Sequence, residues 1–517
     1  MSQSEPSFNL WTVPWITLEH KNGTLGEASI EETLLHASDF RAIYDPSPLV
    51  VVGIHRLLVA ILQDALDPKR PPDLARLGQA RQFPEEVLRA FGERFAHRFD
   101  IFSESEPFLQ SADLPLRPTR RAPGVKSVAY LMPDIPAGTE ITHYRHGTAD
   151  ENAFCPTCAA RGLVTIPAFA TSGGAGIKPS INGVPPIYVL PGGNTLFQSL
   201  MASLTLPDYQ PAAASRAEDS AWWKRTPLVE KKAMVHEVGY LHSLTFPARR
   251  VRLHPEPMDD ACTRCGQKSR WKVHTMVFQM GESRPKDAPF WFDPFAAYRL
   301  RGDKGPAPIR PFSGKVLWRE YAALFLPSTP EPNQGTLPPS VLYQLAEEGL
   351  WARIAVYPFR CIGMRTDMKA KVFEWIDADF DVPLSLVDDP GGSAQVHQGI
   401  GFATDCGTII ASVFRKTFVR EGSRIQHHVA LRGRMLDSYW AALATPFRSF
   451  VMDCAHPEER ETAWQQWVGC AVEQAGDVFR TYSEMAGNDA VALRQRVNGR
   501  KLCDIRLSKR RKEALSG

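Results

Sequence analysis

Apolar residues recur at helical spacing in two stretches of the first hundred residues. LVVVGIHRLLVAILQDAL, Leu49 to Leu66, predicts a core helix. PEEVLRAFGERFAHRF, Pro84 to Phe99, predicts a second helix, since proline and acidic residues favour a first turn. Between Arg117 and Asn152 the chain is polar and rich in proline, which predicts a long connection of a kind that is usually functional or disordered. We therefore expect mixed α and β structure from Phe8 to about Pro390.

The pattern changes after about Gly392, where proline nearly vanishes and helical periodicity dominates. Four helices are predicted, near 393–419, 424–450, 457–484 and 489–512. The apolar residues of the third helix share one face: Trp464, Trp467, Val468, Ala471, Ala475, Val478 and Phe479. The predicted fold class is thus α+β, with a large irregular mixed domain over 1–391 followed by a C-terminal four-helix bundle over 392–517.

Composition narrows the class of protein. The chain has 517 residues, 44% of them hydrophobic, which suffices for about two to four domains with real cores. A net charge of only +3 confines any nucleic-acid surface to a local patch. We find no signal peptide and no apolar run of the roughly 20 residues that span a bilayer. Nine cysteines, an odd number, argue for a reducing compartment, so we expect a cytoplasmic protein without a membrane partner.

Two C-x-x-C pairs carry the clearest chemistry of the sequence. Cys155 and Cys158 form one pair, and Cys262 and Cys265 the other. A tight turn can aim both sulfurs of a pair at one metal ion, and two pairs complete the tetrahedral shell of four thiolates that zinc prefers. The alternative is two unrelated turns with free thiols, which the long separation of the pairs favours. We expect a structural Zn2+ site, because four protein ligands leave no open position for water.

An enzymatic zinc site is the alternative to a structural one. A zinc deaminase needs a His-x-Glu followed by Pro-Cys-x-x-Cys on separate helices. His254 and Glu256 do precede Cys262, but the gap is too short and Ala261 replaces the proline. No HExxH or GxSxG motif is present. The remaining cysteines are expected to be buried small residues: Cys361, Cys406, Cys454, Cys470 and Cys503.

The stretch TSGGAGIKPS, Thr171 to Ser180, has three glycines in four residues and then a lysine. It fails as a phosphate-binding P-loop and as a dinucleotide loop, because Pro179 stands where each motif needs another residue. Either it is a plain turn, or its bare backbone allows close approach of a ligand such as the minor groove of DNA.

The opening FNLWTVPWITLEHKNG, the paired C-x-x-C motifs and AFATSGGAGIKPSINGVPP together resemble the CasA family. CasA is the large subunit of Cascade, the type I-E CRISPR surveillance complex. The resemblance implies a non-enzymatic subunit that binds crRNA, the other Cascade subunits and double-stranded target DNA. It also implies recognition of the protospacer-adjacent motif (PAM), duplex opening with R-loop formation, and recruitment of a helicase-nuclease in antiviral defence.

The resemblance also assigns roles to particular residues. The glycine loop that contacts the motif corresponds to Ser172, Gly173, Gly174, Ala175 and Gly176, with Lys178 as a nearby phosphate contact. Ala175 stands where a glycine is expected. Contact with the 5′ handle of the crRNA is assigned to Tyr144, Arg145 and His146. The stretch HYRH, residues 143–146, does offer stacking and phosphate contacts, although a surface turn is the alternative. The zinc site would then anchor the base of both loops.

Two further family elements depart from their pattern here. The duplex-splitting wedge corresponds to Asp367, Met368 and Lys369, without the family's glutamine. Met368 could still insert between base pairs, while the alternative is an ordinary helix N-terminus at this point. The minor-groove lysine aligns near 280–282, where no lysine stands, so Arg284 and Lys286 are the weaker candidates.

Other functions remain open at this stage. Basic residues of the bundle could follow DNA, or they could be a solvated helix face: Arg415, Lys416, Arg420 and Arg424. A zinc-dependent hydrolase or deaminase acting on nucleic acid is the second hypothesis. A scaffold that contacts only protein is the third.

Overall fold

The computed structural model describes residues 5–117, 119, 123–133, 135, 152–172, 177–212, 214–216, 218–225, 232–257, 260–312, 316–328, 334–347, 355–366, 372–419 and 425–516. The strands are β1 Ile16–His20, β2 Leu25–Ala28, β3 Phe40–Ile43, β4 Val125–Ser127, β5 Tyr188–Pro191, β6 Arg249–Pro257, β7 Trp271–Met280, β8 Tyr298–Arg301, β9 Ala307–Pro308, β10 Gln334–Leu337, β11 Val356–Thr366 and β12 Val372–Pro383. The predicted mixed α+β class is confirmed.

The helices are α1 Ile30–Leu35, α2 Pro48–Leu66, α3 Pro71–Ala80, α4 Glu85–Phe95, α5 Pro156–Phe169, α6 Leu196–Ala202, α7 Tyr240–Leu244, α8 Tyr321–Phe325, α9 Ser340–Glu347, α10 Pro390–Phe418, α11 Ile425–Ala442, α12 Ala444–Cys454, α13 Arg460–Glu484 and α14 Ala490–Ser516. The chain divides into two compact units. The first comprises Met1–Arg299, Asp303–Pro311 and Pro338–Asp381; the second comprises Leu300–Gly302, Phe312–Leu337 and Val382–Gly517.

Helix α2 is the central core element of the first unit, as its apolar sequence predicted. It packs against α5, and the two backbones approach closely at Gly53. An added Cβ there would lie 2.6 Å from the carbonyl oxygen of Val164. Contrary to our expectation, α2 is long and apolar enough to cross a membrane by length and composition. However, 83% of its most apolar window is buried inside the protein, as in a core helix.

A long antiparallel hairpin leads from the cysteine pairs to the glycine stretch. Strands β6 and β7 pair from Arg249 with Met280 at one end to Pro257 with Trp271 at the other. Strand β4 adds to the other edge of β7, and α5 packs against β7. The nine residues of β6 span about 30 Å, and the fourteen of α5 about 21 Å. Helix α5 and the β6–β7 hairpin therefore both connect the region of the cysteine pairs with the region of the glycine stretch.

A second hairpin contains the position of the proposed wedge. Strands β11 and β12 are neighbours in a sheet with the order β12-β11-β5. Two cross-strand ion pairs join them, Arg360 with Asp377 at 2.7 Å and Arg365 with Glu374 at 2.7 Å. The described residues on either side of the proposed wedge are strand, since Thr366 ends β11 and Val372 begins β12.

The second unit is largely helical. Its described residues from Pro390 onward form five helices, not the four that were predicted, because the second predicted helix divides into α11 and α12 at Leu443. Pro446 explains the division, since it has no N–H to donate to the carbonyl of Ala442 and its ring would crowd that carbonyl. Phe450 and Trp467 stack at 5.1 Å in the core of this unit, and Trp467 Nε1 donates to the carbonyl of Gly399 at 2.9 Å.

Candidate functional site

The four cysteines of the two C-x-x-C motifs converge on one point. Cys155 precedes α5, Cys158 lies in its first turn, and Cys262 and Cys265 lie in the turn between β6 and β7. All four sulfurs lie within 4.8 Å of one another, and Cys155 Sγ is 3.7 Å from Cys265 Sγ. A tetrahedral site with Zn–S bonds of about 2.3 Å requires sulfurs about 3.8 Å apart. The donor set and its spacing thus fit a zinc ion.

Backbone hydrogen bonds hold the two cysteine turns together. The N–H of Cys155 donates to Cys262 Sγ at 3.2 Å, so one turn binds a sulfur of the other. Phe154 and Val273 form a bridge of two hydrogen bonds beside the site. Gly266, at φ +75°, donates its N–H to the carbonyl of Cys262 and closes the second turn in a conformation that favours glycine.

Charge around the cysteines also suits a metal–thiolate centre. Arg264 lies between the cysteines of the second pair; its guanidinium lies 3.9 Å from Cys158 Sγ and pairs with buried Asp45 at 2.7 Å. Hydrogen bonding among the sulfurs raises the pKa of Cys158. A hydrogen bond from Cys158 lowers the pKa of Cys265 to about 6. Four sulfurs this close together cannot all be ionised without a nearby cation, and a dication bound by the four thiolates would supply that charge.

The glycine stretch begins where α5 ends. Ser172 and Lys178 are described, whereas Gly173, Gly174, Ala175 and Gly176 lie outside the described residues. Beyond the stretch, Ser180 donates its N–H to the carbonyl of Ala170 and its hydroxyl to that of Pro167.

Arg249, the first residue of β6, holds both ends of this stretch. Its guanidinium donates to the carbonyl of Lys178 at 2.8 Å and to the carbonyl of Thr171. The base of the glycine stretch is therefore at the far end of α5 from the cysteines. Our expectation that the zinc site anchors the base of this loop is wrong, because Arg249 does so.

Lys178 lies beside the end of the β6–β7 hairpin. Its backbone N–H contacts Met280 Sδ at 3.2 Å, and its exposed ammonium lies 3.7 Å from Met234 Sδ. Within the described part of the chain, this ammonium pairs with no carboxylate. The structure thus brings together two segments that the sequence had placed a hundred residues apart, the end of the glycine stretch and the chain after β7.

The chain after β7 carries the weaker basic candidates. Residues 280–282 are buried and do not project. Arg284 is half-buried; its guanidinium donates to the carbonyl of Pro289 at 2.5 Å and lies over the Trp291 ring. Burial lowers the pKa of Arg284. Lys286 is exposed and is the freer of the two.

Glu282 is the buried acidic group of this region. Its carboxylate accepts hydrogen bonds from Arg225 at 2.5 Å and from His242 at 2.7 Å. Burial alone would raise the pKa of Glu282, but these two hydrogen bonds and the charges behind them lower it. The arrangement fixes the start of the segment that carries Arg284 and Lys286.

The other predicted site residues lie outside the described residues. These are Tyr144, Arg145, His146, Asp367, Met368 and Lys369, together with Arg420 and Arg424 of the helical region. Asp367 to Lys369 fall in the sequence between β11 and β12. Arg415 and Lys416 are exposed in the last turn of α10.

Sequence reasoning missed Arg249. A signal was present in FPARRVRL, where three arginines stand in a strand-like run, and all three are buried. Buried arginines need hydrogen-bond acceptors, so such a run indicates loops anchored on the strand.

The described structure is that of a mixed α+β protein with a candidate zinc centre of four cysteines at one end of α5 and the base of a glycine-rich stretch at its other end. The model of the family "CRISPR-associated protein Cse1" matches residues 9–476. The chain belongs to this Cse1 family.

Individual relatives agree with this family. CRISPR-associated protein CasA/Cse1 of Thermus thermophilus is 30% identical over 420 residues, which cover 77% of this chain and 76% of that protein. The crystal structure of Cse1 from Acidimicrobium ferrooxidans matches with a TM-score of 0.79 at 23% identity and covers 99% of both chains. A chain of a structure titled "CRISPR RNA-guided surveillance complex" matches with a TM-score of 0.72 at 18% identity, over 96% of this chain and 99% of that one.

Proposed function

We propose that this protein is the large subunit of a type I-E CRISPR RNA-guided surveillance complex. In that role it contacts crRNA and the other Cascade subunits, recognises the PAM in double-stranded DNA, promotes duplex opening and R-loop formation, and helps to recruit the helicase-nuclease in antiviral defence. Membership of the Cse1 family and a fold match over nearly the whole chain to a subunit of a surveillance complex support the proposal.

The proposed DNA contact is the loop Ser172–Gly176 together with Lys178. One observation carries this assignment: Lys178 contacts Met280 at the end of β7, so the end of the glycine stretch lies beside the chain that leads to Arg284 and Lys286. Two loops with exposed lysines and a backbone without side chains suit a groove lined by phosphates.

The remaining contacts are proposed from the sequence. Asp367, Met368 and Lys369 form the wedge that enters the duplex beside the motif, and their place between two paired strands suits a projecting tip. Tyr144, Arg145 and His146 contact the crRNA handle.

The four cysteines hold a structural Zn2+, and the protein acts by binding rather than by catalysis. A centre with four protein ligands has no open position for substrate or water, which argues against the alternative of a zinc hydrolase or deaminase. The zinc joins two parts of the first unit that are distant in sequence. The helical C-terminal region forms a four-helix bundle in which α11 and α12 together count as one bent helix. The complex works in a prokaryotic cytoplasm.

The test is duplex-DNA binding by the assembled complex on targets with randomised flanking motifs. We expect Lys178→Ala to weaken binding about equally on all motifs and to reduce the slope of log affinity against log salt by about 1, as for one lost phosphate contact. Lys304→Ala, on the surface of the same unit but away from the glycine stretch in sequence, is the control. Unchanged affinity and salt slope in Lys178→Ala would refute the proposed DNA contact.

A further inference from the structure

We propose that Arg249 is a positioning residue for motif recognition: its buried guanidinium fixes the separation of the two ends of the glycine stretch. The inference rests on the proposed function, because it assumes that the stretch between those ends reads DNA. It goes beyond that function by naming a residue that contacts no DNA and yet determines selectivity.

The geometry of Arg249 is that of a clamp. The two nitrogen arms of one rigid planar group bind the carbonyls of Thr171 and Lys178, on either side of the glycines. One arm also binds the carbonyl of Ala248 at 2.7 Å, and the guanidinium carbon lies 5.8 Å from the centre of the Phe278 ring. The side chain is therefore held by the residue that precedes its strand and by β7, so the two ends of the glycine stretch are bound to a group of fixed position.

The acceptors of Arg249 are unusual for a buried cation. The residue is only 4% exposed, and in the described part of the chain its partners are neutral carbonyls, with no carboxylate. Burial lowers the pKa of Arg249 to about 10, so the group stays charged at neutral pH. A carboxylate here would cancel the positive potential next to Lys178, whereas carbonyl partners preserve it for a phosphate.

Fixed ends matter because glycine has the greatest conformational freedom of any residue. A stretch with three glycines would lose much entropy on ordering against DNA, and pre-ordering of its ends reduces that loss. Discrimination between base pairs depends on where the backbone meets the base edges. Loosening of the ends should therefore affect the choice of motif more than the total affinity.

The chain supplies a matched control on the same strand. Arg252 is 3% exposed, and its guanidinium donates to two carbonyls, those of Ser103 and Glu104, away from the glycine stretch. Arg249→Gln removes a buried guanidinium from three carbonyls, and Arg252→Gln removes one from two carbonyls. Arg249→Lys keeps the charge without the planar fork, and it serves if Arg249→Gln does not assemble.

The experiment measures binding of the assembled complex to a library of flanking motifs, with hydrogen exchange of peptides covering 170–180. We expect Arg249→Gln to reduce discrimination between the best motif and the rest by on the order of tenfold, with faster exchange in 170–180. Arg249→Lys should show the same loss to a smaller degree. Arg252→Gln should leave both quantities as in the wild type.

Lys178→Ala, measured in parallel, separates the two hypotheses. If Lys178→Ala weakens binding but Arg249→Gln and Arg249→Lys select motifs as Arg252→Gln does, the positioning role is wrong and the proposed function stands. If Lys178→Ala has no effect on DNA binding, the proposed DNA contact itself is wrong, and the positioning role falls with it.

Discussion

At the scale of single residues, Glu282 shows how a buried charge can hold a surface segment. Its carboxylate is bound by Arg225 and His242, and it stands two residues after Met280, the last residue of β7. A buried carboxylate is stable only when donors satisfy its oxygens, and here the Arg225 guanidinium and the His242 imidazole do so. The group therefore links three parts of the chain, those around Arg225, around His242 and after β7.

We predict that Glu282→Gln lowers the free energy of unfolding at pH 7 by about 1–3 kcal/mol, the cost of removing a partner from buried charged hydrogen bonds. Because the pKa of Glu282 is lower in the folded protein than its usual 4.5, its contribution is complete above that value and is lost as the pH falls through the lowered pKa. The difference between wild type and variant should thus shrink in acid.

Chemical denaturation between pH 7 and pH 3 measures this difference. Glu256→Gln is the control, since the Glu256 side chain is 42% exposed and its carboxylate lies 3.7 Å from the His254 ring, and its effect should stay within about 0.5 kcal/mol. A constant difference between wild type and Glu282→Gln across this range would contradict the account.

At the scale of elements, α10 is a helix whose glycines serve opposite purposes. An added Cβ at Gly399 would lie 2.4 Å from the Phe450 ring and 3.1 Å from Trp467 Nε1, whereas at Gly401 it would meet nothing within 4 Å. Gly399 thus permits close packing of helices in the second unit, and Gly401 only weakens the helix.

We predict that Gly399→Ala destabilises the protein by about 1–3 kcal/mol through overpacking, because the two aromatic rings are themselves enclosed. Gly401→Ala should be neutral or stabilise by up to about 1 kcal/mol, since alanine favours helix over glycine. Thermal unfolding of both variants checks this, and equal effects at the two positions would refute the packing argument.

Helices were more predictable than strands in this chain. The apolar residues of α2, α4 and α13 recur with the helical period, which a single sequence shows. The break between α11 and α12 follows from Pro446, and apolar periodicity alone does not reveal it. The hairpin β6–β7 was not predicted, because its strand pattern is obscured by buried arginines that only their distant carbonyl partners explain.

The candidate site was predictable where chemistry is local. The two C-x-x-C motifs indicated one centre, and the structure brings all four sulfurs together. The proximity of Lys178 to Met280, and the clamp by Arg249, depend on contacts between residues 71 to 102 positions apart, which no local pattern reports. Spacing alone therefore could not reveal what holds the glycine stretch.

At the scale of the whole molecule, the first unit has two sets of contacts between residues distant in sequence, one at each end of α5. The four cysteines bring together residues 107 positions apart at one end, and Arg249 connects the ends of the glycine stretch to β6 at the other. Helix α5 and the β6–β7 hairpin both run from the cysteine centre to the base of the glycine stretch. The cysteine centre can therefore fix the positions of the helix and the hairpin to which the glycine stretch is attached.

Metal removal tests the role of the four-cysteine centre. We predict that the protein binds about one equivalent of Zn2+ per chain, and that its free energy of unfolding rises with the logarithm of free zinc. The gain should reach about 4 kcal/mol when free zinc exceeds the dissociation constant a thousandfold, since only the folded chain brings the four sulfurs together.

Cys158→Ser should abolish this dependence of stability on zinc. Cys361→Ala removes another fully buried thiol of the same unit, and it should cost stability but keep the response to zinc. Denaturant unfolding in buffers of fixed free zinc, with zinc content measured by atomic absorption, decides the matter. A wild-type chain whose stability does not respond to zinc would mean that the backbone bonds at Cys155 and Gly266 hold this end of the unit without a metal.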